Sequence, residues 1–342
     1  MWLNVAFFFC CCCFCFATVH AKQSWQIIYG RNNNGQTLAS GVLRADMLQS
    51  FVQAELRLVL DEPAARCNSI DAQLFMLDET PLDVCVCAKC NGLMVEELCA
   101  RCHARGGRFV WEVVDLAGQL SYVDLLHACC DLWLVSNRVA AAQFLQHGAK
   151  ATAVVHHHHT NVDNIHSPCR KAAVRVVAST ASKANTPVEF ERDLATILGR
   201  DGVEFRSLVS PFYLDHPSAE NGWNQVQFHD GLDDVDVAVI WPPVLDAPHL
   251  TFRPITRLAH WWSHGIPVIW MRSIDTYREV CEELGVGMEL ACDHLECVVE
   301  RIRQLSDDPE LRCRMAEQVL AASKRFNVTS SAADYVRAIL HG

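Results

Sequence analysis

The chain has 342 residues, 51% of them hydrophobic and 20% charged, with a formal net charge of −11 at pH 7. That length exceeds one ordinary domain and points to two, and the composition is that of a globular chain rather than a disordered one. The negative charge argues against a general affinity for nucleic acid or anionic lipid surfaces.

Trp2 to Val19 is almost unbroken apolar sequence, and Val19-His20-Ala21 ends it with a small residue that suits a signal peptidase. Two readings stand for residues 1–22: a cleaved signal peptide, or an uncleaved signal-anchor that attaches the protein to the membrane through residues 2–19. Both place the rest of the chain in the lumen of the secretory pathway (ER or Golgi), with secretion also open to the cleaved form. Cys10 to Cys13 and Cys15 serve there as hydrophobes or, if the segment stays in the membrane, as acylation sites. No later run is long and apolar enough to span a bilayer.

From Gln26 onward short β-branched runs alternate with amphipathic stretches, the mark of an α/β fold. Gln26–Tyr29 reads as a strand, Arg31–Gly41 as a polar loop and Val42–Leu60 as a helix. Leu74–Leu77 and Val84–Ala88 are strands. A helix over Leu93–Arg105 stops at Gly106-Gly107, and Arg108–Val114 is a strand. Ser121–Cys130 is helical, Leu132–Val135 a strand, Arg138–His147 a helix closed by Gly148, and Ala151–Val155 the last strand of this half. The polar, His-rich stretch His156–Lys171 with Pro168 is the crossover.

The second half repeats the alternation. Val174–Ala178 is a strand, Val188–Gly199 a helix, Val203–Leu208 a strand and Pro211–Asp230 a loop-rich stretch. Val235–Trp241 is a strand, Ile255–Ser263 a helix, Pro267–Met271 a strand, Thr276–Leu284 a helix and Gly287–Leu290 a strand. His294–Leu305, Pro309–Phe326 and Ala332–Leu340 are helices. The expected fold class is therefore α/β, with two doubly wound, Rossmann-like domains facing a cleft at the carboxyl ends of their strands. The domains are placed at 23–160 and 172–325, with a crossover at 161–171 and a last helical segment, 326–342, returning to the first domain.

The most informative stretch is Arg253-Pro254-Ile255-Thr256-Arg257, followed by Trp261-Trp262-Ser263-His264-Gly265-Ile266-Pro267-Val268-Ile269. Pro254 stands at a helix start, so free backbone N–H groups and two guanidinium groups converge there, an arrangement suited to a diphosphate. The alternative is a solvated helix entrance with ordinary surface arginines.

This stretch resembles the second domain of GT-B glycosyltransferases, where a helix leads through a small-x-Gly-x-Pro-Val-Ile turn into a buried strand. Tyr277-Arg278-Glu279 on the next helix and Asp308-Pro309-Glu310-Leu311-Arg312 between later helices follow the same order. The resemblance implies transfer of a sugar from a nucleotide-sugar donor to a carbohydrate, lipid or protein acceptor. The donor phosphates would meet Lys183, Arg253, Thr256 and Arg257, and Trp241, Tyr277 and Glu279 would line the nucleotide or sugar pocket. No metal and no cofactor is expected at the donor site.

The sequence departs from the family where many retaining members carry a pair of glutamates, because Phe252 and His260 occupy those positions. Ser179-Thr180-Ala181-Ser182 likewise replaces the glycine-rich loop before Lys183. A catalytically inactive GT-B-like protein that binds sugar or another protein is therefore the alternative reading.

His156–His159 are four consecutive histidines after the last strand of the first half, where the crossover approaches the donor side. Side chains of an extended chain alternate, so alternate rings, His157 and His159, are candidates for ligand contact or general base, with a structural turn or a metal as the alternatives. His260 is the third candidate base, weighed against packing beside Trp261.

Five of the 18 cysteines lie in the apolar leader, which leaves 13, chiefly in apolar runs that read as buried small hydrophobes with a few bridges. Cys87-Ala-Lys-Cys90 and Cys99-Ala-Arg-Cys102-His103 have the spacing of zinc doublets or, for the second, of haem attachment. Their strand and helix context favours thiols or a local disulfide, and a zinc-binding interaction protein is the third reading. Asn327-Val328-Thr329 is an N-glycosylation acceptor pattern.

Overall fold

The computed structural model describes residues 25–29, 83–88, 92–113, 128–157, 169–181, 186–209, 225–227, 232, 234–242, 250–251 and 253–342. The apolar leader, the expected helix Val42–Leu60, the strand Leu74–Leu77 and residues 121–127 lie outside them. The described part of the expected helix Ser121–Cys130 is a turn at its end.

The first half builds one parallel sheet in the order β1 (Trp25–Tyr29), β2 (Val84–Ala88), β3 (Arg108–Glu112), β4 (Leu132–Val135) and β5 (Thr152–Val154). Helix α1 (Gly92–Ala104) leads into β3, and α2 (Arg138–Gln146) leads from β4 to β5. Parallel strands bury both faces, so their sequences are continuous apolar runs rather than alternations. In β2, Cys85 and Cys87 pack with Phe109, Trp111, Trp133 and the cysteines of α1, while Val84 and Val86 face the other way.

That second face receives the C-terminal helix α8 (Val328–His341) through Ala332, Tyr335, Val336 and Ile339. Arg108 at the start of β3 donates to the carbonyls of Ile339 and Gly342, both at 2.5 Å, and so fastens the end of the chain.

The second half builds a six-stranded parallel sheet in the order β11-β10-β9-β6-β7-β8. Its strands are β6 (Val176–Ala181), β7 (Glu204–Val209), β8 (Gln225–Gln227), β9 (Val237–Ile240), β10 (Val268–Met271) and β11 (Ala291–Cys292). The helices are α3 (Val188–Arg200), α4 (Thr256–Ser263), α5 (Asp275–Leu284), α6 (Leu295–Asp307), α7 (Pro309–Ser323) and α8 (Val328–His341). Helix α4 is buried along most of its length, from Leu258 through Ser263, as a helix between a sheet and a second helix must be.

Two expectations are corrected. Gly287–Leu290 is not a strand, because Gly287 takes a left-handed φ of 79° and opens a 3-10 turn, so the strand follows at Ala291–Cys292. The last helix begins at Val328, four residues before the expected Ala332, because Asn327 caps it through a bond from the Ser330 amide. That cap is the asparagine of the glycosylation pattern.

Where the crossover enters the second half, Arg312 of α7 is almost fully buried, 1% exposed. Its guanidinium donates to the carbonyls of Leu305, Arg170 and Ala172. A disulfide joins Cys169 to Cys313 beside it, and Arg170 pairs with Asp236 at 3.0 Å. Two further disulfides, Cys99–Cys129 and Cys292–Cys297, bear out a few bridges, while Cys85, Cys102, Cys130 and Cys281 are buried thiols.

Truncating the buried Arg312 leaves the carbonyls of Leu305, Arg170 and Ala172 without their donor, the first of them buried, so Arg312→Ala is expected to cost about 3 kcal/mol. Urea unfolding should show a lowered midpoint at unchanged slope. A loss below about 0.5 kcal/mol would show that water replaces the guanidinium at no cost.

Candidate functional site

In the second sheet β6 lies between β7 on one side and β9 on the other, so the chain reverses its direction of travel across the sheet between β6 and β9. Segments leaving the carboxyl ends of two such strands diverge and open a crevice, the usual ligand position in an open parallel sheet. The segment after β6 contains Lys183, which lies outside the described residues, as does His159. The segment after β9 starts with Trp241.

Trp241 is buried and its ring lies flat against Phe190 of α3, with centroids 4.8 Å apart and planes 2° from parallel. The neighbouring Glu191 is 7% exposed and accepts bonds from Ser179 of β6 at 2.5 Å and Ser207 of β7 at 3.2 Å. Burial pushes its carboxyl above the usual carboxylate range, and the two serine hydroxyls offset only part of that rise. Glu191 thereby ties the first turn of α3 to the floor of the crevice.

Helix α4 presents its N-terminus on the same side, because it leads into the strand next to β9. Its N-cap is Ile255, which supplies no side-chain cap, so the first amide groups of the helix await an acceptor. Arg253 and Pro254 precede it, and Thr256 and Arg257 form its first turn. All four are half-exposed. Among the described residues no carboxylate pairs with Arg257. Arg253, Thr256 and Arg257 of the expected phosphate set thus lie at or just before the start of α4.

The other candidates fall in different places. His260 is 3% exposed, inside α4, with its ring 4.9 Å from that of His264 and 6.3 Å from Trp261. The turn spacing of α4 that brings Thr256 and His260 onto one side leaves the histidine in the packed part of the helix. Tyr277 is a core residue set edge-on against Trp270, centroids 6.0 Å apart.

His157 is also 3% exposed, and its Nε2 lies 3.4 Å from Oε1 of Glu112 at the end of β3. Tyr335 of α8 donates to the other oxygen of that carboxylate at 3.2 Å. The cluster sits where the crossover leaves the first sheet, so it holds the crossover rather than facing open solvent.

Glu279 is turned toward the first half. Its Oε2 accepts the Arg138 amide of α2 at 2.7 Å, and Arg138 also pairs with Glu283 of α5 at 3.1 Å. Burial raises the Glu279 carboxyl, and the Arg138 amide and guanidinium oppose that rise.

The residues missed in the sequence are Asn137, Glu191, Thr251, Asp275 and Thr276. Asn137 precedes a readable helix start, which signals a cap. Nothing in its local pattern signals its partners across the cleft. Cys99 is bonded to Cys129 and not available to a metal. Among the described residues no cluster of three or more His, Cys, Asp or Glu could hold a metal ion.

No protein-family model matches the chain, and no curated protein matches it in sequence. Solved structures match its fold. The Anabaena protein HepE, seen in complex with UDP and glucose, superposes with a TM-score of 0.64 at 12% identity, covering 93% of this chain and 100% of HepE. A glycosyltransferase of Rickettsia africae gives 0.66 at 10% identity, covering 94% of this chain and 100% of its own. TarM of Staphylococcus aureus gives 0.58 at 10% identity, covering 79% of this chain and 58% of TarM. These likenesses show the fold: two Rossmann-like domains in the GT-B arrangement.

The raised Glu191 carboxyl generates a signed prediction. The folded state binds its proton more tightly than the unfolded chain, so its contribution to stability is greatest in acid. It falls as pH rises from the ordinary glutamate range, about 4.3, through the higher folded value. Glu191→Gln keeps a hydrogen-bonding amide without that titration. The difference in unfolding free energy between the two proteins should therefore shift in favour of the glutamine variant as pH rises across this interval. A difference independent of pH would show that Glu191 titrates normally.

Proposed function

We propose that this GT-B-fold chain is a glycosyltransferase that moves a hexosyl group from a nucleotide-sugar donor to an acceptor. The observation that carries the reading is the uncapped N-terminus of α4, flanked by Arg253, Thr256 and Arg257, at the carboxyl edge of the second sheet beside its switch point. A helix N-terminus combined with guanidinium groups holds a diphosphate in the ground state. It also stabilises the charge that builds up on that diphosphate as the bond to the sugar breaks.

In this reading Arg257 and Arg253 contact the phosphates, Thr256 adds a hydroxyl, and Lys183 supports them from the segment after β6. The stacked Trp241 and Phe190 form the wall beside the nucleotide. Their apolar faces keep water from the donor, which would otherwise be hydrolysed. Burial takes the rings of His157 and His260 out of reach of an acceptor hydroxyl in this conformation, so the base we retain from the sequence-derived trio is His159. Glu112 and Tyr335 hold His157 in place on that side.

The lumen of the secretory pathway is the compartment that we propose. The apolar leader and the disulfides Cys99–Cys129, Cys169–Cys313 and Cys292–Cys297 support it, because such bonds persist in oxidising surroundings. A GT-B-like binding protein without turnover is the second reading. It is favoured by His260, which is buried where many members of the fold family carry a glutamate.

Thermal unfolding of the purified chain with UDP, UDP-glucose and other nucleoside diphosphates tests the donor site, since a ligand of the folded state alone raises stability with its concentration. A charged hydrogen bond contributes about 1.5–3 kcal/mol, so Arg257→Ala should weaken diphosphate binding by roughly one to two orders of magnitude at unchanged stability. The exposed Arg272, which pairs with Asp293 at 3.4 Å, provides the charge-loss control as Arg272→Ala. Equal losses in both variants, or none, would return α4 to a solvated helix entrance. Release of free nucleotide from a bound sugar conjugate separates a transferase from a binder.

Side chains and a helix terminus, with no metal, offset the diphosphate charge in this scheme. Chelation of divalent ions should accordingly leave transfer intact. Activity lost to a chelator and restored by a divalent cation would reject the mechanism.

A further inference from the structure

Asn137 is fully buried, 0% exposed, at the corner between β4 and α2 in the first half. Burying a carboxamide is costly unless its donors and its acceptor are all satisfied. Its Oδ1 accepts the Ala140 amide at 2.7 Å, which caps α2. Its Nδ2 crosses to the second half, donating to the carbonyl of Thr251 and to Oγ1 of Thr276, the latter at 2.7 Å.

The two acceptors belong to different segments of the donor side. Thr251 lies just ahead of Arg253 and the α4 entrance, and Thr276 lies in the first turn of α5, after β10. The Thr251 hydroxyl then donates to Asp275 at 2.7 Å, so the two segments are joined to each other as well as to Asn137. Asp275 in turn pairs with Arg278. One residue further along α2, the Arg138 amide donates to Glu279 at 2.7 Å, so an acidic residue of α5 caps a helix of the other half. No acidic residue stands in the first turn of α2 itself. The partner across the cleft supplies the negative charge that this helix end favours.

We infer that Asn137 is a positioning residue for the donor site: by bonding Thr251 and Thr276 at once, a side chain of the first domain fixes the α4 entrance relative to the start of α5. The inference rests on the reading of the α4 entrance as the donor-phosphate site. It extends that reading, because affinity for a diphosphate then depends on a residue that touches none of it and belongs to the opposite domain. Without the carboxamide the segment bearing Arg253 and Arg257 keeps its chemistry and loses its fixed place. A clamp whose groups are not held in position must be ordered by the ligand itself, which weakens binding.

Local and cross-domain roles are separable. Asn137→Ser retains a hydroxyl able to cap Ala140 but is too short to reach Thr251 and Thr276. Thr276→Val removes one acceptor from the opposite side and leaves the cap of α2 untouched. Hydrogen exchange of the full chain without ligand, its unfolding temperature, and UDP affinity by calorimetry are measured for wild type and both variants.

In Asn137→Ser, exchange at residues 253–257 and 275–279 should accelerate about ten-fold, the effect of a lost buried hydrogen bond on local opening. Exchange within α2 should stay as in wild type, and UDP affinity should fall by about ten-fold. Thr276→Val should change the same two segments in the same direction. Unaltered exchange at both segments in both variants overturns the inference, as does a uniform acceleration that includes α2, which would mark Asn137 as a cap alone. If Asn137→Ser fails to fold, Thr276→Val decides the matter by the same exchange readout. If wild type binds no UDP, the donor reading fails, and the exchange pattern still tests whether Asn137 positions the two segments. Accelerated exchange with unchanged UDP affinity overturns the claim that this positioning serves the donor site.

Discussion

Parallel strands must be covered on both faces, and most features of this protein follow from that constraint. Among the described residues, α1 and α2 cover one face of the first sheet and α8 the other. Because α8 follows the second half in sequence, the first sheet is covered on this face by a segment that comes after the second domain. The continuous apolar runs of β2, β3 and β4 express the same constraint in sequence. The strands run one way, so all their carboxyl ends gather on one side. Polar side chains that cannot be buried among the helices are placed there.

The two connections between the halves are held differently. The outgoing crossover is fastened to α7 by Arg312, by the Cys169–Cys313 disulfide and by the Arg170–Asp236 pair. The returning connection is fastened by contacts of Phe326 with His156 and Trp262, at centroid distances of 5.8 and 6.5 Å. Beyond it, Tyr335 reaches the Glu112–His157 pair. Buried carboxylates and guanidinium groups are tolerated here because each meets several hydrogen-bonding groups, which offsets the loss of water. These contacts fix where the chain passes between domains, and the Asn137 and Glu279 bonds fix how the domains meet at the cleft itself.

The candidate donor site divides along the same line. In the reading we propose, its chemistry comes from the second half, from the α4 entrance and the wall formed by Trp241 and Phe190. The first half meets these segments through its β4–α2 corner, which reaches Thr251, Thr276 and Glu279. Glu279 shows the distinction well. Read by position within its helix it belongs to a ligand pocket, and in the folded chain its carboxylate accepts the amide of Arg138.

Sequence by itself determined the alternation of strands and helices, the split into two similar halves, the helix-turn-strand around Gly265 and the helix start beside Arg253, Thr256 and Arg257. All of these are local: apolar periodicity, a proline at a helix entrance and a glycine after a helix act within a few residues. The burial of Tyr277 and His260, the disulfide partners and the bonds of Asn137 were decided only by tertiary structure. Asn137 and Thr276 are 139 residues apart and Cys169 and Cys313 are 144 apart. At such separations no repeating pattern links one residue to the other. Whether a polar side chain faces water, a ligand or a partner is set by what the rest of the chain packs against it.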